Sequence, residues 1–166
     1  MSVDQPSQIA AATERLRAET SVPGLLGATA QAFVELLQAP ACTISRVIGD
    51  LLVDLIQYRQ SGRQDRLGHG YLISDYPLTR AVIEQREPRT VFLDDPNADP
   101  AEAALLRELG FDSLLMVAIE VRDSAWGLIE VYGEKGREFD HKEVGLVRDL
   151  AAEVGGLLTR LEQPNR

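Results

Sequence analysis

Leu114-Leu115-Met116-Val117-Ala118-Ile119-Glu120-Val121, then Arg122-Asp123-Ser124-Ala125, then Trp126-Gly127-Leu128-Ile129-Glu130-Val131-Tyr132 is the stretch that decides the fold. Two strand-length apolar runs flank a short polar turn, which is the pattern of an antiparallel hairpin. The apolar run from Leu114 to Ile119 is far too short to cross a bilayer.

Upstream of this hairpin, Ala101 to Leu109 reads as a helix stopped by Gly110, because glycine adopts the left-handed conformation that ends helices. Asp94 to Pro100, with two prolines and three aspartates, reads as loop. Thr90 to Leu93 is a short strand, and Pro77 opens a helix reaching about Arg86. Arg59 to Gly70 is polar with three glycines and is expected to be loop. Ala41 to Val47 and Leu51 to Tyr58 form another hairpin across Gly49-Asp50. Before it, Ile9, Ala12 and Leu16 mark a helix from Ile9 to Ala18. Ser21 and Pro23 start a second one carrying Leu26, Ala30, Phe33 and Leu37 on one face, ended by Pro40.

Downstream lies one last helix. Asp140 with Glu143 three residues on suggests a capping box. Val147, Leu150, Val154, Leu157 and Leu161 alternate steps of three and four, as in a heptad seam. Gly155 and Gly156 interrupt it at a cost of about 1 kcal/mol each, tolerable where backbones approach closely. The order is ααββ, αβα, ββα. Two hairpins without regular βαβ alternation imply a mostly antiparallel sheet with helices packed over it.

The chain has 166 residues, 45% hydrophobic and 26% charged, which fits one globular domain. Its net charge is -9, so nucleic acid and anionic membrane surfaces are poor partners. The single cysteine, Cys42, cannot form an internal disulfide or a multi-cysteine metal site. The N-terminal residues lack the regions of a secretory signal, so a cytoplasmic protein is expected.

The element order and local text together resemble the GAF domain family from about Val22 to Leu161. The resemblance is carried by Ser74-Asp75-Tyr76-Pro77-Leu78-Thr79, Leu109-Gly110-Phe111-Asp112-Ser113-Leu114-Leu115, Trp126 to Tyr132 and Phe139-Asp140. It implies an α+β, α/β/α-layered, PAS-like fold with a central antiparallel sheet of five to six strands. Terminal helices would cover one face and a ligand pocket the other. The chain then divides into an N-terminal signalling helix (1–21), the GAF domain (22–162) and a tail (163–166). By the same resemblance the pocket is walled by Thr43–Val47, Ile56–Tyr58 and Leu115–Ile119, under a lid of Arg59–Arg89 and Asp94–Leu109. Candidate ligand contacts are Tyr58, Arg66, His69, Tyr71, Tyr76, Thr79, Leu93, Leu106, Ser113, Leu115 and Val117.

No cofactor is named by these residues. Some family members bind cyclic nucleotides. Lys135, Phe139 and Glu143 fall near that signature, but Glu134 and Val144 break it, and helix capping explains the same residues. Others attach a bilin to a cysteine, yet Cys42 sits in a strand, where a free thiol usually behaves as a small hydrophobe. A thiol-dependent reduction of methionine sulfoxide needs more than one cysteine, and nucleophile and base candidates are few, so no enzyme is expected. His69 could serve as a haem ligand, while His141 lies on the wrong face. Asp94, Asp95 and Asp99 do not match a calcium loop. From Arg59 to Arg89, six arginines outweigh four acids, a net +2 against -11 elsewhere, which would favour an anionic ligand.

Two classes therefore stand. One is a sensor that binds a small molecule and signals through paired terminal helices, as a homodimer joined along Ile9, Leu16, Val147, Leu150, Val154, Leu157 and Leu161. The other is a structural dimerisation module whose pocket is filled by its own side chains. With no output segment recognisable, an output domain or a partner protein is expected downstream.

Overall fold

In the computed structural model, which describes residues 5–163, five helices and seven strands follow one another. They are α1 (Gln5–Arg17), α2 (Val22–Leu37), β1 (Ala41–Ile48), β2 (Leu51–Arg59), β3 (Gln64–Arg66), β4 (Gly70–Leu72), α3 (Pro77–Gln85), β5 (Arg89–Phe92), α4 (Pro100–Leu109), β6 (Ser113–Val121), β7 (Ser124–Gly133) and α5 (His141–Leu161). A 3₁₀ turn, Ile73–Asp75, joins β4 to α3. Local chemistry places the ends. Ser21 caps α2 and Asp99 caps α4, each accepting from a backbone N–H in the first turn, and Asp140 and Glu143 form a complete capping box at α5. Gly110 ends α4 at φ 85°.

All strand pairs are antiparallel, in the order β3-β2-β1-β7-β6-β5, with β4 also pairing with β2. The α+β layering and the antiparallel sheet are as the sequence implied, with one more strand. Arg59–Gly70 is the difference, since it holds β3 and the start of β4 rather than a bare loop. Those short strands pair with β2, whose backbone groups would otherwise form an open sheet edge.

One face of the sheet carries α1, α2 and α5, and the other carries α3, α4 and the 3₁₀ turn. Strand alternation splits the core accordingly. Cys42, Ile44, Leu115, Val117, Ile119, Ile129 and Val131 pack toward the three long helices. Ala41, Leu114, Met116, Leu128 and Tyr132 pack toward the shorter ones.

The seam expected to pair two subunits is part of this core. Leu16, Val147, Leu150, Val154 and Leu157 are buried within their own chain, and Ile9 and Leu161 are half-buried. A stripe only a few turns long cannot separate a 3.5-residue from a 3.6-residue period, so helix-on-sheet and helix-on-helix packing share one pattern. Gly155 has the same cause: a Cβ there would strike the Glu120 carbonyl of β6, whereas one at Gly156 would meet open space. The close neighbour is a strand, not a second helix.

Candidate functional site

A cavity of about 210 Å³ lies between the sheet and its α3–α4 cover. The sheet contributes Thr43 from β1, Leu52, Asp54, Gln57 and Arg59 from β2, and Glu130 and Tyr132 from β7. The β3–β4 segment contributes Asp65, Leu67, His69 and Tyr71, and the cover contributes Ile73, Tyr76, Thr79, Glu102, Leu105 and Leu109.

A bulge in β2 makes this arrangement possible. Ser45 pairs with Asp54 and Ile44 with Ile56, so Leu55 has no partner on β1. The extra residue reverses the alternation. Leu52 and Asp54 line the cavity before it, and Gln57 does so after it, while Ile56 and Tyr58 turn toward the helices.

The dominant feature is a set of buried carboxyl groups. Asp54 is 7% exposed, Glu102 1% and Glu130 8%. Asp54 accepts a 2.6 Å hydrogen bond from Ser45 Oγ, and Glu102 accepts one from Thr79 Oγ1. Glu102 also sits in the first turn of α4, where the helix dipole favours negative charge. Among the described residues, Glu130 has only the Tyr132 hydroxyl at 3.5 Å, the outer limit of a hydrogen bond. Among the described residues no arginine or lysine forms an ion pair with any of the three. Burial raises all three carboxyl pKa values. At Glu130 the rise is large, with repulsion from Asp54 and Glu102 adding to it. The same burial, reinforced by Glu130, raises the Tyr132 phenol well above its ordinary range.

Aromatic rings frame these groups. Tyr71 and Tyr76 meet edge to face at 6.1 Å, and Tyr132 stacks on Phe111 at 4.5 Å.

Of the residues singled out in the sequence, His69, Tyr71, Tyr76 and Thr79 are brought together at this cavity. Six are not. Leu115 and Val117 lie one register step out of phase and face the helices, as does Tyr58 beyond the bulge. Leu93 and Leu106 belong to the apolar packing around the cavity, with Leu106 in the core of the cover. Ser113 is buried, and its Oγ has no hydrogen-bond partner among the described residues. Arg66 is on β3 opposite Ile56, and its side chain lies outside the described residues, as do residues 164–166 of the expected tail. Sequence reading missed Asp54, Glu102, Glu130 and Tyr132. A signal existed for two of them, because Asp54 and Glu130 are lone acids inside apolar strands.

The GAF domain family matches residues 22–158 of the sequence. The chain belongs to the GAF domain family. Solved structures agree with that fold. A bacteriophytochrome from the photosynthetic bacterium R. palustris superposes with a TM-score of 0.84 at 14% identity, over 98% of this chain and 39% of that one. A phycocyanobilin-bound GAF domain from a cyanobacterial phytochrome gives 0.81 at 17% identity, covering 97% of each. The Stigmatella aurantiaca phytochrome photosensory core module gives 0.81 at 17%, over 95% of this chain and 37% of the other. This GAF domain thus spans well under half of either multidomain neighbour. No curated protein matches it in sequence. No helix among the described residues is long and apolar enough to cross a membrane.

Of the six arginines behind the anionic expectation for this GAF domain, Arg59 lines the cavity, and the side chain of Arg66 lies outside the described residues. The other four are paired with acids: Arg63 with Asp65, Arg80 with Glu84, Arg86 with Glu120 and Arg89 with Glu87. Net charge along a segment says little about which charges face a cavity. Here the buried ones are acids.

Proposed function

We propose that this GAF domain is a binding rather than catalytic module, a sensor that takes up a small molecule between sheet and cover. Occupancy would be reported to the α1–α2–α5 layer. The observation that supports this most is the shared wall. On β7, Glu130 and Tyr132 line the cavity, while Ile129 and Val131 between and beside them belong to the helical core. A ligand that prefers one placement of β7 biases the helices packed behind it, provided its affinity differs between the two states.

Bilin-bound structures are similar in fold, but the residues here favour a smaller ligand. Pockets for drug-sized molecules run to about 300–1,000 Å³, against about 210 Å³ here. A linear tetrapyrrole is larger still and carries carboxylates that the acidic lining would repel. Cys42 faces the helices, and burial pushes its thiol pKa up, away from the thiolate that forms covalent bonds. Haem meets the same limits of size and charge, and the exposed His69 is held through its backbone carbonyl by Asp54 N–H at 2.9 Å. A cyclic nucleotide's phosphate would face the same acids. Lys135 belongs to a left-handed turn, and Glu143 is engaged in its capping box.

The route outward runs through the sheet to the helical layer, and from there to an output domain or partner protein. A homodimer would have to use the outer faces of α1 and α5, where the exposed Arg148, Asp149 and Arg160 leave no continuous apolar stripe.

Native mass spectrometry of the freshly purified chain, paired with a thermal-shift screen of small molecules, tests the sensor reading. A co-purified mass, or a concentration-dependent rise in melting temperature, is the expected result. A bare mass with no stabilising compound would leave a structural module.

A further inference from the structure

We propose that the ligand of this cavity is a small organic cation, a primary ammonium group on a short apolar tail. This rests on the sensor reading and specifies it.

The lining supplies acceptors in excess. A carboxylate offers two oxygens. In Asp54 and Glu102 one oxygen is engaged by a neighbouring hydroxyl, and among the described residues Glu130 has only its long contact to Tyr132. An unpaired buried charge is costly, and among the described residues no arginine or lysine forms an ion pair with these three acids, Arg59 lining the cavity without reaching them. An ammonium group brings three donors and one positive charge, which answers both needs. A butanoate-like anion would add to the repulsion.

The apolar side of the cavity supports the same class. Tyr71, Tyr76 and Tyr132 place aromatic rings around the carboxyl groups, and ring faces attract cations. Leu52, Ile73 and Leu105 provide room for hydrocarbon. A bare metal ion fits poorly, since no group of three or more His, Cys, Asp or Glu among the described residues is arranged to hold one. The volume admits a short chain rather than a polycyclic amine.

The test is titration calorimetry of the whole chain, at fixed ionic strength and neutral pH, with three near-isosteric probes: n-butylammonium, 1-butanol and butanoate. Saturable binding of n-butylammonium at least about tenfold tighter than 1-butanol, with none for butanoate, is expected from one charge-assisted contact. Glu130→Gln should weaken n-butylammonium by about tenfold or more and leave 1-butanol unchanged. If Glu130→Gln fails to fold, Asp54→Asn makes the same comparison. Equal or tighter binding of 1-butanol or butanoate overturns the cation class and leaves the sensor reading standing. No binding of any probe, together with a bare mass and an unresponsive melting temperature, overturns both.

Discussion

The two faces of one sheet are built on different terms. Toward α2 and α5, strands β1, β6 and β7 bury Cys42, Ile44, Leu115, Val117, Ile119, Val121, Trp126, Ile129 and Val131, with Phe33 and Leu158 fully covered. Toward α3 and α4, the same or adjacent strands present Thr43, Asp54, Glu130 and Tyr132 around a cavity. The first face is close-packed hydrocarbon, which maximises burial. The second accepts buried carboxyl groups that a purely structural face would replace with leucine. Strand alternation lets one set of residues do both, so a residue's role follows from its register more than from its type.

The largest effect should come from breaking the packed face. Leu150→Ala opens a cavity in the helical core and should cost about 2–5 kcal/mol in denaturant unfolding. If Leu150 instead formed a subunit seam, the variant would alter oligomeric state with little loss of monomer stability.

The lined face should respond in the opposite direction. An acid with a raised folded pKa is protonated in both states at low pH. As pH rises from the ordinary 4.5 toward the raised value, the unfolded chain ionises while the fold resists, so stability falls across that window. Burial first, then Asp54 and Glu102, disfavour the charge on Glu130, the Tyr132 hydroxyl partly offsetting this by hydrogen bonding. Glu130→Gln should therefore stabilise the unliganded chain at neutral pH by about 1–3 kcal/mol and match it near pH 4. Equal pH profiles for the two proteins would contradict the burial of that carboxyl.

The smallest effects come from the paired glycines of α5. Gly156→Ala should stabilise by about 1 kcal/mol, the helix-propensity difference. Gly155→Ala should destabilise, because its methyl would meet the β6 backbone. Two thermal melts check the contrast, and stabilisation by both would mean that α5 stands off the sheet.

The hairpins, helix caps and layer order were legible because they depend on local chemistry: Gly110 at a helix end, Asp140 with Glu143, and turns between apolar runs. The pocket was legible in its β3–β4 segment and cover, where His69, Tyr71, Tyr76 and Thr79 lie close in sequence. Its floor was not. The bulge at Leu55 reverses which residues face inward, and no residue type announces it. Leu115 and Val117 were misplaced by one register step, a shift that exchanges whole faces. The helical seam misled because helix-on-sheet and helix-on-helix stripes have nearly the same period. Glu130 was missed although it is a charge within an apolar strand, a signal that alternation alone could have supplied.

The difference between the two faces is most directly tested by a ¹⁵N NMR titration of the chain with n-butylammonium. The largest early shifts are predicted at Thr43, Asp54, Tyr71, Thr79 and Glu130, with smaller ones following through Ile129 and Val131 into α5. Shifts confined to the outer surfaces of α1 and α5, with the Thr43–Glu130 group silent, would contradict it.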